Sequence, residues 1–322
     1  MIDYAVIGTS WITKAFIDGA NTVPELNLCG VYSRTKERGA VFAKETGAEE
    51  VYTSLEELIS SRARFVYVAS PNSCHYEQCK YLLSNGKSVI CEKPATVTAS
   101  EFKELFGIAE KNGLVYFEAI MYMHNPVRAL FKDALKKIGK ITSANIDYSQ
   151  LSSKYPALKR GELPNIFNPE MKTGALNDLG IYCVYPVIDI FGEPKSVNPT
   201  QYFLHTGADG SGAASLLYDD KLVNITYSKT GQSRSFSQII GDEGTVTVEG
   251  VSTMTNIYLY DNGGNKTEIF GDNTKTVLMA NEAESMVKFL TDMKNNRDFY
   301  LECNKTTEKV LGCMEKMRTE NR

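Results

Sequence analysis

Apolar positions along this chain follow two different rhythms, and the change from one to the other divides it. In the first third, short and nearly unbroken apolar runs recur: DYAVIG at 3–8, LNLCGVYSR at 26–34, RFVYVASPN at 64–72, SVICEKP at 88–94 and LVYFEAIMY at 114–122. Such runs read as strands covered on both faces. Between them lie stretches with helical spacing: ITKAFIDGA at 12–20, YTSLEELISS at 52–61, HYEQCKYLLSNG at 75–86 and TASEFKELFGIAEKNG at 98–113. Ser54 with Glu57 and Thr98 with Glu101 have the spacing of capping boxes, and Asn85-Gly86 and Asn112-Gly113 are stop signals. Repeated strand–helix–strand units with buried strands predict a doubly wound parallel sheet, an α/β Rossmann domain over residues 1–121.

Beyond that point the rhythm changes. A helix is expected at 125–139 and an alternating strand at 140–150. A polar, proline-punctuated loop from Ser152 to Thr173 and a long apolar helix at 174–192 follow. Strand patterns then succeed one another without helices, at 200–207, 212–220, 221–229, 235–242, 244–250 and 255–261, with a hairpin signal in YDNGG. Two amphipathic helices, near Met279–Asn295 and Thr306–Arg318, close the pattern. The expectation for 122–322 is an α+β domain with a large, mainly antiparallel sheet, for substrate binding and oligomerisation.

Composition narrows the function classes. A net charge of −4 without a long basic run argues against nucleic acid. No run approaches the ~20 apolar residues of a membrane span. The opening MIDYAVIG lacks the basic and apolar regions of a secretion signal, so a cytoplasmic protein is expected. Seven cysteines without C-x-x-C spacing fit reduced thiols. The spacing of Cys74, His75 and Cys79 does not match a zinc site, and no metal is expected.

Ligands of an open parallel sheet bind at the strand ends, and four ends here are unusual. After the first strand, the G-x-G-x-x-G slots hold Gly8, Ser10 and Thr13. Gly8, Thr9, Ser10, Trp11 and Ile12 form a turn that keeps the anion-binding N–H groups of a helix start. Trp11 is read as a wall of that site or as an exposed residue. The turn alone fits a cofactor site and a plain strand–helix junction equally. At the second strand's end, where NAD sites carry Asp or Glu, stand Ser33 and Arg34, with Arg38 nearby; these suit a ribose 2′-phosphate, hence NADP, with NAD possible. The third end offers Ala69, Ser70 and Asn72, with His75 read mainly as a packing or capping residue. The fourth offers Glu92 and Lys93, followed by Pro94 in a cis-capable bond.

These features resemble a known family, the oxidoreductases related to glucose–fructose oxidoreductase, inositol dehydrogenase and rhizopine-catabolism proteins (Gfo/Idh/MocA). The motifs are the G-x-x-x-I turn at Gly8–Ile12, SPN with His75, Glu92-Lys93-Pro94, the Glu118–Pro126 segment, GALNDLGIY at 174–182 and GDEGTVTVEG at 241–250. Tyr182 stands where many members carry His, which is similar to the branch of dimeric dihydrodiol dehydrogenases and glucose–fructose oxidoreductase. Thr173, Asn177 and Met123 depart from common Gly, Leu and Arg. The resemblance implies NADP-dependent hydride transfer on a sugar, polyol, diol or related carbonyl compound. Tyr182 would be the acid/base, Lys93 its assisting cation, and Asp178 would bind substrate or orient Lys93. Tyr122 and Asn177 would be further substrate contacts, with His124 of second rank and no role for His205.

Asp178 and Tyr182, four apart, share a helix face; without the resemblance, Tyr182 reads as an apolar core residue with a satisfied hydroxyl. Pro186 should kink that helix. A non-catalytic NADP-binding regulator of the same fold is the alternative, and redox-neutral chemistry a third possibility. Apolar residues on both faces of the later strands suggest a homodimer or homotetramer through the C-terminal sheet.

Overall fold

The computed structural model describes residues 1–318. Two units emerge: Met1–His124 with Thr274–Glu308, and Asn125–Asn273 with the residues from Lys309 onward. The helices that follow the second sheet are therefore shared, and the first of them belongs to the first unit.

In the first unit, the chain runs β1 (Ile2–Ile7), α1 (Trp11–Ala20), β2 (Leu26–Tyr32), α2 (Lys36–Thr46), β3 (Glu50–Tyr52), α3 (Leu55–Ser60), β4 (Phe65–Val68), α4 (Asn72–Ser84), β5 (Ser88–Glu92), α5 (Ala99–Asn112), β6 (Tyr116–Ala119) and α6 (Met121–His124). All six strands are parallel, in the order β3-β2-β1-β4-β5-β6. The order reverses between β1 and β4, which is where a doubly wound sheet opens a crevice. β4 and β5 are buried along their whole length, as their unbroken apolar runs require. Both capping boxes form, at Ser54–Glu57 and Thr98–Glu101. Gly113 ends α5 in the left-handed conformation. α2 and β3 had no clear periodic signal: α2 has a weakly apolar face, burying only Gly39 and Phe42, and β3 has three residues. Aromatic rings fill the core, with Phe16 of α1 stacked on Tyr67 of β4 at 3.8 Å.

The second unit contains α7 (Val127–Leu135), β7 (Ile141–Ser149), α8 (Tyr155–Lys159), α9 (Ile181–Phe191), β8 (Ser196–Phe203), β9 (Asp209–Leu217), β10 (Leu222–Ser228), β11 (Ser237–Gly241), β12 (Gly244–Gly250), β13 (Thr255–Asp261) and β14 (Lys266–Phe270). Its eight strands lie in the order β14-β13-β12-β11-β7-β10-β9-β8. The sheet is mixed: β7 and β10 pair in parallel, the remaining neighbours antiparallel. Strand alternation identifies the covered face; Val223, Ile225 and Tyr227 of β10 are buried while Leu222 and Thr226 are exposed. α9 packs on β7 and β10. Arg128 of α7 grips the Asp189 carboxylate of α9 with two hydrogen bonds, at 2.8 and 2.5 Å, and Lys132 adds a third at 2.8 Å.

The chain closes with α10 (Lys275–Thr291) and α11 (Met293–Met317). Both begin earlier than their spacing suggested. α10 packs on α1, and Gly19 permits it: a side chain there would sit 2.6 Å from Met279 Cβ. All seven cysteines are unbridged. No described helix is long and apolar enough to cross a membrane.

Candidate functional site

Within the first unit, residues gather at the carboxyl ends of the strands. Gly8 leaves β1 with φ +109, and a Cβ there would lie 2.6 Å from the Ala69 carbonyl oxygen at the end of β4. A residue without a side chain is therefore required at the switch point. Ser10 is the N-cap of α1, yet its side chain makes no capping bond; its hydroxyl lies 3.2 Å from Thr13 Oγ1. No carboxylate occupies the first turn of α1 and its N-cap side chain makes no capping bond, so no acidic side chain of that turn competes with an anion such as a diphosphate for its N–H groups. Thr13 is fully buried, Ile12 half-buried, and Trp11 is 73% exposed. Thr9 is partly exposed beside them.

At the end of β2, Ser33 is buried while Arg34 and Arg38 are exposed. Neither guanidinium has a carboxylate partner among the described residues. Two unpaired cations in the place where a ribose-binding carboxylate would stand suit a 2′-phosphate.

The ends of β4 and β5 are braced together by His75. Its ring, 1% exposed, lies between the backbone oxygens of Pro94, 2.9 Å from Nδ1, and Ser70, 2.8 Å from Nε2. Burial pushes its pKa below the ordinary histidine value, although both carbonyls oppose that. Both ring nitrogens of His75 are thus engaged with loop backbone. Ser70 donates its hydroxyl to Gln78 Oε1 at 2.6 Å, and Asn72 opens α4.

Glu92 ends β5 almost fully buried. Tyr67 donates its hydroxyl to Glu92 Oε1, and the Lys93 N–H donates to Oε2 at 3.2 Å. Burial raises the Glu92 pKa, against the Tyr67 hydrogen bond and the Lys93 charge. The Lys93–Pro94 bond is cis. Glu118 of β6 accepts the Ala95 N–H at 2.7 Å, which anchors the far side of this loop. Lys93 itself is half-buried. Tyr122 and His124 lie on the short α6, Tyr122 1% exposed and His124 with Nδ1 2.9 Å from the Ser285 hydroxyl.

Asp178, Asn177 and Tyr182 belong to the second unit. A π-helical turn, Leu176–Gly180, precedes α9 and carries Asp178. Such turns widen a helix and are frequent at functional sites. Asp209 organises its start: its carboxylate accepts the Leu176 N–H at 2.7 Å, and a Cβ on Gly174 would collide with it. Pro186 lies inside α9 and has no N–H for the Tyr182 carbonyl four residues back. The Tyr182 ring stands edge-on to Tyr148 of β7 at 5.6 Å. Asn177 is buried, donates to the Lys172 carbonyl at 2.9 Å and accepts from Arg318 at 3.2 Å, so its amide ties the loop to Arg318.

One residue escaped the sequence reading. Lys229, just past β10 and 5% exposed, forms an ion pair with the Asp178 carboxylate. The two are 51 positions apart, so no local motif could reveal it. The buried Lys229 ammonium holds the partly exposed Asp178 carboxylate in place by a charge-assisted hydrogen bond. Among the described residues, no cluster of His, Cys, Asp or Glu could hold a metal ion.

Comparison with known proteins agrees with this architecture. Residues 2–120 match the model of an oxidoreductase family with an NAD-binding Rossmann fold (GFO/IDH/MocA), and residues 128–247 match that family's C-terminal domain. The chain is 34% identical to a scyllo-inositol 2-dehydrogenase (NADP(+)), IolU, of Bacillus subtilis, over 97% of this chain and 95% of that protein. It is 28% identical to a trans-1,2-dihydrobenzene-1,2-diol dehydrogenase of Xenopus tropicalis, over 68% of this chain and 66% of that one. Among solved structures, a levoglucosan dehydrogenase in complex with NADH and levoglucosan superposes with a TM-score of 0.83 at 17% identity, covering 98% and 96% of the two chains.

Proposed function

Since the chain belongs to the GFO/IDH/MocA oxidoreductase family, we propose that it is an NADP-dependent dehydrogenase of a polyhydroxylated compound, with a cyclic polyol the first substrate class to test. The carrying observation is the pair of unpaired guanidiniums, Arg34 and Arg38, at the end of β2. The likeness to the NADP-named inositol dehydrogenase supports both the cofactor and the substrate class.

The residues at the strand ends fit the dinucleotide. Gly8 and the first turn of α1 would take the diphosphate, and Arg34, Arg38 and Ser33 the 2′-phosphorylated ribose. When bound, the nicotinamide accepts or returns the hydride of a carbinol carbon. Tyr182 takes the hydroxyl proton as that hydride leaves and gives it back in the reducing direction. Lys93 is the cation that the family resemblance assigns to assist this proton transfer. Asp178, steadied by Lys229, accepts a hydrogen bond from a substrate hydroxyl. We further infer self-association through the outer face of the second sheet, where Leu217, Leu222 and Tyr202 are exposed on neighbouring strands; a monomeric mass by light scattering at micromolar concentration would refute it.

The central test follows NADPH absorbance in both directions over inositols, sugars, diols and dicarbonyls, for the wild-type protein and Tyr182→Phe. Turnover that disappears in the variant, with NADPH affinity within about twofold, supports the reading. Persisting turnover removes Tyr182 from proton transfer. NADPH binding by the wild type without oxidation or reduction of any compound favours the non-catalytic alternative.

A further inference from the structure

A second lysine reaches the strand ends of the first unit from far along the chain. Lys275 is the first residue of α10, a position where the helix dipole disfavours a cation. Its ammonium has no carboxylate within 4.0 Å among the described residues. Its hydrogen-bond acceptor is the Met121 sulfur, 3.0 Å away, a weak one, and the Trp11 ring centroid lies 5.8 Å off. Burial holds its pKa below the ordinary lysine value, with the Glu282 and Glu92 charges pulling it back and the Lys93 charge adding to the depression. An underpaired, partly buried cation breaks a local rule, and such violations mark functional sites.

Its placement gives the violation a purpose. The close approach at Gly19 presses α10 against α1. Side chains on a helix point back toward its N-terminus, so the first residue of α10 projects past the helix start and arrives beside Trp11, the first residue of α1. That end of α1 offers its own unsatisfied N–H groups, the place for a diphosphate under the function proposed above. We propose that Lys275 is a cofactor-anchoring residue: its ammonium exchanges the Met121 sulfur for an oxygen of the dinucleotide's diphosphate, and Trp11 is held across the same group. Lysine serves as a point charge for phosphate, and this one is supplied by no glycine-rich motif.

The inference rests on NADP binding, and its test separates the two. Trp11 is the single tryptophan, so emission excited at about 295 nm reports this site alone. NADPH should quench that emission and gain sensitised emission from the dihydronicotinamide. Lys275→Gln and Lys275→Met should raise the NADPH dissociation constant about 10- to 30-fold, the loss of one charged hydrogen bond to phosphate. Lys275→Arg should stay within about threefold of wild type. 2′-AMP, which lacks the diphosphate, should compete equally well against a fluorescent nucleotide in all four proteins. A wild-type protein that fails to bind NADPH overturns the cofactor assignment itself. A wild-type protein that binds, with Lys275→Gln and Lys275→Met within twofold of it, overturns the anchoring role alone. Equal weakening of NADPH and 2′-AMP also overturns it, because Lys275 would then act through the fold.

Discussion

Replacing Lys229 by Met tests how the second unit aims its chemistry. The change removes the cation from Asp178 while keeping the length of the side chain. Lys229 has 6% side-chain exposure and Asp178 29%. Fully buried pairs lose about 3–5 kcal/mol when one partner is removed, and fully exposed pairs about 0–1 kcal/mol. A pair with one member buried and the other a third exposed falls between, at about 2 kcal/mol. At ~2–4 °C per kcal/mol for a domain of this size, the melting temperature should drop by about 4–8 °C. The catalytic effect should be larger than the stability effect, because a carboxylate that swings by about 1 Å loses on the order of 10²-fold in kcat/KM. The assay is a double-mutant cycle with Lys229→Met, Asp178→Asn and both, read by thermal melting and by steady-state kinetics. In the double variant the neutral amide no longer needs its cation, so the second change should cost less than about half of what it costs alone. Additive losses in stability, or a Lys229→Met enzyme with wild-type kcat/KM, would refute the reasoning: the pair would then be neither coupled nor aiming anything.

Three other outcomes are expected. Gly8→Ala should weaken NADPH binding at least tenfold and destabilise by roughly 1–3 kcal/mol, because φ +109 and the Ala69 carbonyl at 2.6 Å leave no room for a Cβ; titration calorimetry and melting check both parts. Arg34→Glu with Arg38→Glu should raise the NADPH dissociation constant about 10- to 100-fold and leave NADH binding little changed, as expected for two charged contacts to a 2′-phosphate alone; equal losses for both nucleotides would place the arginines elsewhere. Glu282 is 1% exposed with Oε2 unpartnered, and burial, then the Glu92 charge, raises its pKa well above the ordinary value. A raised folded-state pKa contributes stability that is full below the ordinary glutamate pKa of ~4.3 and is lost as pH rises through the folded value. The wild-type melting temperature should therefore fall as pH rises above the ordinary glutamate value, and Glu282→Gln should flatten that slope; an unchanged slope would reject Glu282 as its source.

Much of the first unit was legible because its determinants are local. Ser54–Glu57 and Thr98–Glu101 cap helices three residues away, and the apolar runs of β4 and β5 announce burial on both faces. The elements that escaped, α2, β3, α8 and β14, are short or weakly patterned, so tertiary packing decides them. The second sheet was expected to be mainly antiparallel, and the single parallel pair β7–β10 needed the topology. His75 illustrates the boundary within one residue. Its proximity to the third strand's end was visible, but the Pro94 carbonyl that receives it comes from another strand.

The sequence by itself determined the repeating parallel architecture, the glycine at the switch point and the basic residues after the second strand. These depend on backbone freedom, residue type and spacing over a few positions. Only the tertiary structure decided that Lys229 neutralises Asp178, that Lys275 stands beside Trp11 and Met121, and that Glu282 is buried near Glu92. The energy of a charge depends on its distance to other charges and on how much water surrounds it. Neither quantity exists along the chain until folding brings distant segments together.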